Sequence, residues 1–380
     1  MGSPDLQIVA DENISGLEHF EKFASLIKIP GRDFSASIIK HADAILVRSV
    51  TRVDQALLKG TSVKFVGSTT SGIDHVDTGF LDRQKISFAY APGSNANSVV
   101  QYVMAAMALL SEKHQFDWRD LRMGIIGAGN IGGLLASYLD RLGIQFLIYD
   151  PFLDTGHPLA KHLVSFEQIL VQDLISLHTP LTKSGPYPTW HLIDSPIIEQ
   201  LRPGSILINA ARGAVVNNHA LAARLNVPEQ SLLPHCVLDV WENEPDIDLD
   251  LLRLAEITTS HIAGYSYEGK EQGTAQIYQA LTEFFDLVDV CSYPVNSQKK
   301  NLSIASGDKP LQQINQSILA GYGIQVDHMQ LQQILKPDSK VSFDLMRKNY
   351  PLRREFSYYE LDYTGYSEEA KTTLQILGFN

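Results

Sequence analysis

The 380-residue sequence predicts an α/β protein with two doubly wound parallel-sheet domains, followed by a small α+β unit. Three observations predict this. Short β-rich runs alternate with amphipathic stretches from Leu6 onward, a glycine-rich turn restarts the alternation near residue 127, and a polar segment, Ser292 to Lys309, separates the last stretch of chain.

In order, candidate strands are Leu6 to Ala10, Ala44 to Ser49, Lys64 to Ser68 and Ile86 to Ala89, with amphipathic stretches at Leu17 to Leu26 and Val53 to Lys59 between them. A helix from about Asn97 to Glu112 carries the chain into the second domain. There Met123 to Ile126 is a strand and Asn130 to Leu142 a helix stopped by Gly143. Ile144 to Tyr149, Asp173 to His178, Ser205 to Ala210, Cys236 to Val240 and Ile257 to Ser260 complete six strands, and Ser165 with Gln168 forms a capping box. Six strands are the count of a full dinucleotide-binding sheet. After a helical stretch from Tyr267 to Asp286 and the polar segment come helices at Leu311 to Ala320, Asp327 to Leu335 and Ser367 to Leu377, with an aromatic strand from Ser357 to Tyr363.

Composition bounds the function. With 44% hydrophobic and 19% charged residues the chain can bury several cores. Its net charge of -12 offers no general attraction to phosphate backbones or anionic membranes, which argues against nucleic acid and membrane surfaces as partners. The two cysteines, Cys236 and Cys291, form no CxxC pair, so neither a disulfide framework nor a metal site is expected. The start has no basic stretch leading into an apolar one, and the longest apolar run, Tyr102 to Leu110, is too short to span a bilayer. A cytoplasmic protein is expected.

Gly127-Ala128-Gly129-Asn130-Ile131-Gly132 follows an apolar strand and opens a helix. The first glycine permits a tight turn, the second lets backbone amides approach a pyrophosphate, and the third lets helix and strand pack closely. Asp150, at the end of the next strand, can accept hydrogen bonds from a ribose and would repel a ribose phosphate, which favours NAD over NADP. Three polar residues, Arg212, Glu244 and His261, follow predicted strands, where open α/β sheets collect ligands. Arginine suits a carboxylate, histidine suits proton transfer near neutral pH, and a glutamate beside it would orient the imidazole. Singly, each has a bland alternative: a surface ion pair, a loop carboxylate, a hydrogen-bonded core histidine.

Together with His178-Thr179-Pro180-Leu181, Ile208 to Gly213, Leu238 to Pro245 and His261-Ile262-Ala263-Gly264, these motifs resemble the D-isomer-specific 2-hydroxyacid dehydrogenases over most of the first 290 residues. The resemblance implies a Rossmann NAD-binding domain (97–264), a flavodoxin-like substrate domain (1–96 and 265–290) and a C-terminal domain (291–380). It implies that Arg212 binds the substrate carboxylate and carbonyl oxygen, that His261 is the acid/base and that Glu244 is its partner. Asn130, Ile131, Asp150, Thr179, Ala210, Ala211, Asp239 and Gly264 would contact NAD.

Further segments, Val9 to Asn13, Val47 to Thr51, Thr182 to Tyr187, His261 to Lys270, Arg347 to Tyr350 and Arg353 to Glu355, resemble the branch of that family that oxidises 4-phospho-erythronate in vitamin B6 synthesis. This resemblance covers nearly the whole chain. It implies Ser49, Thr70 and Tyr265 as substrate contacts and a homodimer formed by residues 291–380. Asn217 stands where an aspartate is usual in that branch, though it can still cap a helix, and Ser68-Thr69-Thr70-Ser71 is a variant loop. For the phosphate the candidates are Arg48, and Arg353 or Arg354; the alternative pairs the last two with acids at a dimer interface. Other readings stay open at this point: a phosphoglycerate or glycerate dehydrogenase, a non-catalytic NAD-sensing corepressor, or a tail that binds another protein. The apolar face of Leu311, Ile314, Ile318 and Leu319 must be buried somewhere, a self-interface being the simplest expectation.

Overall fold

The computed structural model describes residues 6–227, 234–287, 293, 298–304, 307–337 and 339–380. The chain divides into one unit of 1–95 with 265–297 and another of 96–264 with 298–380. In the first, β1 (Gln7–Asp11), β2 (Ser25–Ile29), β3 (Ala44–Val47), β4 (Phe65–Ser68) and β5 (Ser87–Tyr90) form a parallel sheet in the order β2-β1-β3-β4-β5, with α1 (Gln55–Leu58) and α2 (Thr78–Gln84) in the crossovers. Four of these strands match the sequence expectation. The stretch expected as a helix from Leu17 to Leu26 instead forms a single 3-10 helix, Leu17–Lys22, and then β2. β2 is an edge strand with no fully buried residue, so it lacks the apolar alternation by which strands are read.

The second unit opens with α3 (Ala96–His114), buried nearly all round. Then follow β6 (Met123–Ile126), α4 (Asn130–Leu142), β7 (Phe146–Tyr149), α5 (Phe166–Leu170), β8 (Leu174–Leu177), α6 (Ser195–Ile198), β9 (Ile206–Asn209), α7 (Asn218–Leu225), β10 (His235–Leu238), α8 (Leu249–Leu254) and β11 (Ile257–Thr258). All six strands are parallel, in the order β11-β10-β9-β8-β6-β7, and a lone parallel bridge from Ile148 to Leu163 extends the β7 edge. The order reverses between β6 and β8, the switch point at which such sheets bind nucleotides beyond the carboxyl ends of their strands.

Helix α9 (Tyr267–Phe284) returns the chain to the first unit. Successive residues of β1 there alternate between two cores: Ile8 and Ala10 join Ile277 and Leu281 of α9, while Val9 joins Leu57, Phe80 and Leu81 on the opposite face.

Beyond it lie β12 (Lys300–Leu302), α10 (Pro310–Gly321), α11 (Ile324–Leu331), α12 (Phe343–Lys348), β13 (Tyr359–Leu361) and α13 (Glu368–Leu377). β12 falls in the segment expected as a linker. Three residues without apolar alternation carry no strand signal, and pairing with β13 supplies one. Residues 298–380 share a unit with the nucleotide-binding sheet, and Leu331 and Phe343 join its core. The α10 face corrects the sequence reading: Ile314 and Ile318 are fully buried, and α10 packs on α3 and α13 of its own chain. Trp118 Nε1 donates to Asn315 Oδ1 at 2.9 Å in the same contact. Cys236 is a buried free thiol whose pKa burial pushes up to about 12, which makes it inert. Cys291 lies outside the described residues.

Candidate active site

The glycine loop follows β6. Gly127 takes φ +91°, and a Cβ there would lie 2.8 Å from the carbonyl oxygen of His178. At Gly132 a Cβ would lie 1.9 Å from the carbonyl oxygen of Gly127, so only glycine lets α4 start this close to the turn. Gly129 differs, because nothing in the protein lies within 4 Å of its Cβ position. The chain itself does not require glycine there, whereas a ligand approaching the backbone would. As N-cap, Gly129 supplies no side-chain acceptor, so the first-turn amides around exposed Asn130 and half-buried Ile131 stay open to an anion. Beside this turn the Thr179 hydroxyl is buried without a partner. Asp150 accepts from the amides of Ala128 at 2.8 Å and Phe152 at 2.9 Å, which ties the loop to the end of β7. Clear space, an uncapped helix and an orphaned hydroxyl together fit a dinucleotide.

After β9, buried Asn209 shapes the turn that carries Ala210, Ala211 and Arg212. Its Oδ1 accepts from Ala211 N at 3.2 Å, and its Nδ2 donates to Arg212 O at 3.1 Å. Sequence reading gave Asn209 no role. A Cβ at Gly213 would lie 2.0 Å from the Trp241 carbonyl, so this turn packs directly on the one that carries Glu244.

That second turn is held by another pair the sequence did not single out. Glu242 accepts from Asn218 N at 2.9 Å and bonds His191 Nε2 at 2.6 Å. Glu244 Oε1 accepts from Trp241 N at 2.9 Å, while its Oε2 faces His261 Nδ1 at 2.7 Å. Burial alone would raise the pKa of Glu244, but the bond from His261 and the charge of Arg347 outweigh it and keep the carboxyl ionised. A carboxylate at Nδ1 fixes the tautomer with the proton on Nδ1 and leaves Nε2 as the basic nitrogen.

His261 sits in the left-handed region at φ 58°, which a side-chain-bearing residue keeps only when its surroundings demand it. Asp239 makes that demand. Its carbonyl accepts from His261 N at 2.7 Å, Oδ1 accepts from Ile262 N at 2.8 Å and Thr259 Oγ1 at 2.6 Å, and Oδ2 accepts from Ala263 N at 3.0 Å. Asp239 is 1% exposed, so its carboxylate is already engaged by the loop that ends at Gly264.

The first unit holds Arg48, Ser49, Thr70 and Tyr265. Ser49 is exposed just past β3, and Thr70 Oγ1 donates to Gly72 O at 3.0 Å. Lys270 Nζ lies 4.9 Å from the ring centre of Tyr265. Arg48 grips fully buried Asp11 through Nε at 2.9 Å and Nη2 at 3.3 Å. In the second unit Arg354 stacks on Tyr358 at 3.5 Å. Arg353 corrects the sequence reading: it is 8% exposed, and its guanidinium is taken up inside its own chain by the carbonyls of Ser98, Ile262 and Ala263, with the charge of Asp327 nearby.

Residues 100–263 match the family described as D-isomer specific 2-hydroxyacid dehydrogenase, NAD binding domain, and residues 296–378 match a domain of unknown function. The chain is 42% identical to the erythronate-4-phosphate dehydrogenase of Teredinibacter turnerae over 99% of both chains, and 42% identical to that of Cellvibrio japonicus over 98% of this chain and 99% of the relative. The relative from Salmonella arizonae is 40% identical over 99% and 98%. The fold is like that of the NAD-bound 3-phosphoglycerate dehydrogenase of Entamoeba histolytica, with a TM-score of 0.62 at 24% identity over 77% of this chain and 99% of that one. It is also like the Aquifex aeolicus D-lactate dehydrogenase, with a TM-score of 0.60 at 24% identity over 73% and 95%. With its second unit built on the family's NAD-binding sheet and its whole length shared with these relatives, this chain belongs to the erythronate-4-phosphate dehydrogenases of the D-isomer-specific 2-hydroxyacid dehydrogenase family.

Proposed function

We propose that the chain oxidises 4-phospho-D-erythronate to (R)-3-hydroxy-2-oxo-4-phosphobutanoate with NAD, a step of pyridoxal 5'-phosphate synthesis. The observation that carries this reading is the His261–Glu244 pair, 2.7 Å apart, on a loop forced into a left-handed turn just past the nucleotide-binding strands. NAD, when bound, supplies the acceptor for the hydride from C2. Nε2 of His261 takes the proton of the C2 hydroxyl, and ionised Glu244 stabilises the imidazolium that results. Arg212 holds the substrate carboxylate with its planar fork. Gly127 to Gly132 take the pyrophosphate and Asp150 the adenosine ribose. Thr179, Ala210, Ala211, Asp239 and Gly264 complete the cofactor side.

Ser49, Thr70 and Tyr265 contact the rest of the substrate. Arg48, whose Nη1 lies outside its pair with Asp11, serves the phosphate. A homodimer through the C-terminal segment is supported by its exposed apolar side chains, Val326, Met329, Leu345 and Leu352. Among the described residues no helix is long and apolar enough to cross a membrane.

The test is NADH formation with erythronate 4-phosphate, 3-phosphoglycerate and unphosphorylated erythronate. The highest kcat/KM is expected for the first, and a preference for 3-phosphoglycerate would overturn the substrate. A monomeric mass in light scattering would overturn the dimer.

A further inference from the structure

Against the loop that follows His261 lies the C-terminal segment. Its Arg353 is buried, and Nη2 donates to Ala263 O at 2.7 Å, to Ser98 O at 2.9 Å and to the Ser98 hydroxyl. The Ser98 hydroxyl in turn donates to Ala263 O at 2.8 Å, and Nη1 reaches Ile262 O at 3.4 Å. The guanidinium lies 4.2 Å from the ring centre of Tyr322, whose hydroxyl donates to Asp327 Oδ2 at 2.8 Å. Tyr350 donates to the same oxygen at 2.7 Å.

The peptide units after His261 are therefore held from two sides. Asp239 takes the amides of Ile262 and Ala263, and Arg353 takes their carbonyls. A buried guanidinium that makes its bonds to carbonyls and a hydroxyl is costly to keep, and an apolar side chain would fill the volume at lower cost. What it supplies that apolar packing does not is a fixed direction for two carbonyls next to a histidine in an unfavourable backbone region.

We infer that Arg353 is a positioning residue for the reaction: acting with Ser98, it holds the Ile262–Ala263 backbone so that the His261 imidazole stays aligned on Glu244. The inference rests on the function proposed for His261. It gives the C-terminal segment, which matches a domain of unknown function, a task inside its own chain.

The test compares wild type, Arg353→Lys and Ser98→Ala. Lysine keeps the charge but loses the fork, and kcat is expected to fall about tenfold or more, with KM and the Kd for NADH changing less than about threefold, because misalignment by a fraction of an ångström acts on chemistry before binding. Ser98→Ala moves kcat the same way by a smaller factor. In 15N-histidine-labelled protein without substrate, the Nδ1 proton resonance of His261 is expected to move or broaden in both variants, which reports the bond to Glu244 whatever the substrate proves to be. Folded Arg353→Lys protein with wild-type kcat and resonance, differing only in melting temperature, would overturn the inference. If that variant does not fold, Ser98→Ala with wild-type kcat and resonance would do the same. Failure of the substrate proposal shows differently, as wild-type protein that turns over none of the acids while the resonance still responds.

Discussion

The two ends of the six-stranded sheet carry the same pair of side chains in different settings. β10 begins at His235 and leads to Glu244, while β11 follows Glu256 and leads to His261, so each strand links a member of one histidine–glutamate cluster to a member of the other. At the carboxyl ends, Glu244 gives one oxygen to the Trp241 amide and one to His261. At the amino ends, Glu256 takes His235 at 2.5 Å, His114 at 2.5 Å and Lys113 at 2.6 Å. The contact alone is not the chemistry. One carboxylate divided between a turn amide and a single imidazole suits the proton transfer proposed for His261, whereas one carboxylate shared among three donors makes a brace.

The largest effect expected from this contrast is on turnover. His261→Asn should lower kcat by about 10²–10⁴ with KM nearly unchanged, the range for loss of a general base. His235→Asn should leave kcat within about twofold. Steady-state kinetics on the two purified variants checks this, and comparable losses would erase the distinction between the two ends.

Next is the substrate fork. Arg212→Lys keeps the charge but loses the paired geometry, and kcat/KM should fall by about tenfold to a hundredfold, as the loss of a charge-assisted bond implies. Arg202→Lys, in the ion pair with Asp173 at the opposite end, should leave it unchanged.

The glycine loop sharpens the comparison by separating fold from ligand. Gly132→Ala brings a Cβ within 1.9 Å of a carbonyl oxygen and should cost about 1–3 kcal/mol of stability, the usual range for overpacking. Gly129→Ala meets nothing of the protein. Its melting temperature should match wild type while NADH binding, followed by fluorescence titration, weakens. Unchanged NADH affinity in Gly129→Ala would break the assignment of that space to the cofactor.

What the sequence made legible follows the same division. Strands buried on both faces, such as Met123–Ile126, announce themselves as short apolar runs, and the glycine spacing is dictated by local sterics, so both could be read directly. β2 could not, because three of its five residues are exposed. Nor could β12, because a three-residue strand is made by its partner. Arg353 was a candidate for the phosphate, with Arg48 and Arg354, because arginine forks suit phosphate, and the alternative paired it with an acid at a dimer interface. Only the folded chain shows its fork buried among carbonyls more than 80 residues away in sequence. Asn209 and His191 were missed for a related reason, since a residue that orients a turn bears no motif of its own.

The smallest effect concerns the brace itself and turns on the sign of a titration. Burial would raise the pKa of Glu256, but bonds from His235, Lys113 and His114 outweigh it and hold the carboxyl at about 2, below its ordinary 4.5. A carboxylate with a depressed pKa stabilises the fold above its unfolded value and loses that contribution as pH falls toward the folded one. The wild-type advantage over Glu256→Gln should therefore be full at pH 6 and fade between about 5 and 2. Because the cluster is partly exposed, solvent screening limits the contribution to about 1 kcal/mol, or about 2–4 °C in melting temperature. Melting curves across that range read it directly. A gap in Tm that persists at pH 2, or a drop in kcat at pH 7, would mean that Glu256 does more than brace the amino ends of β10 and β11.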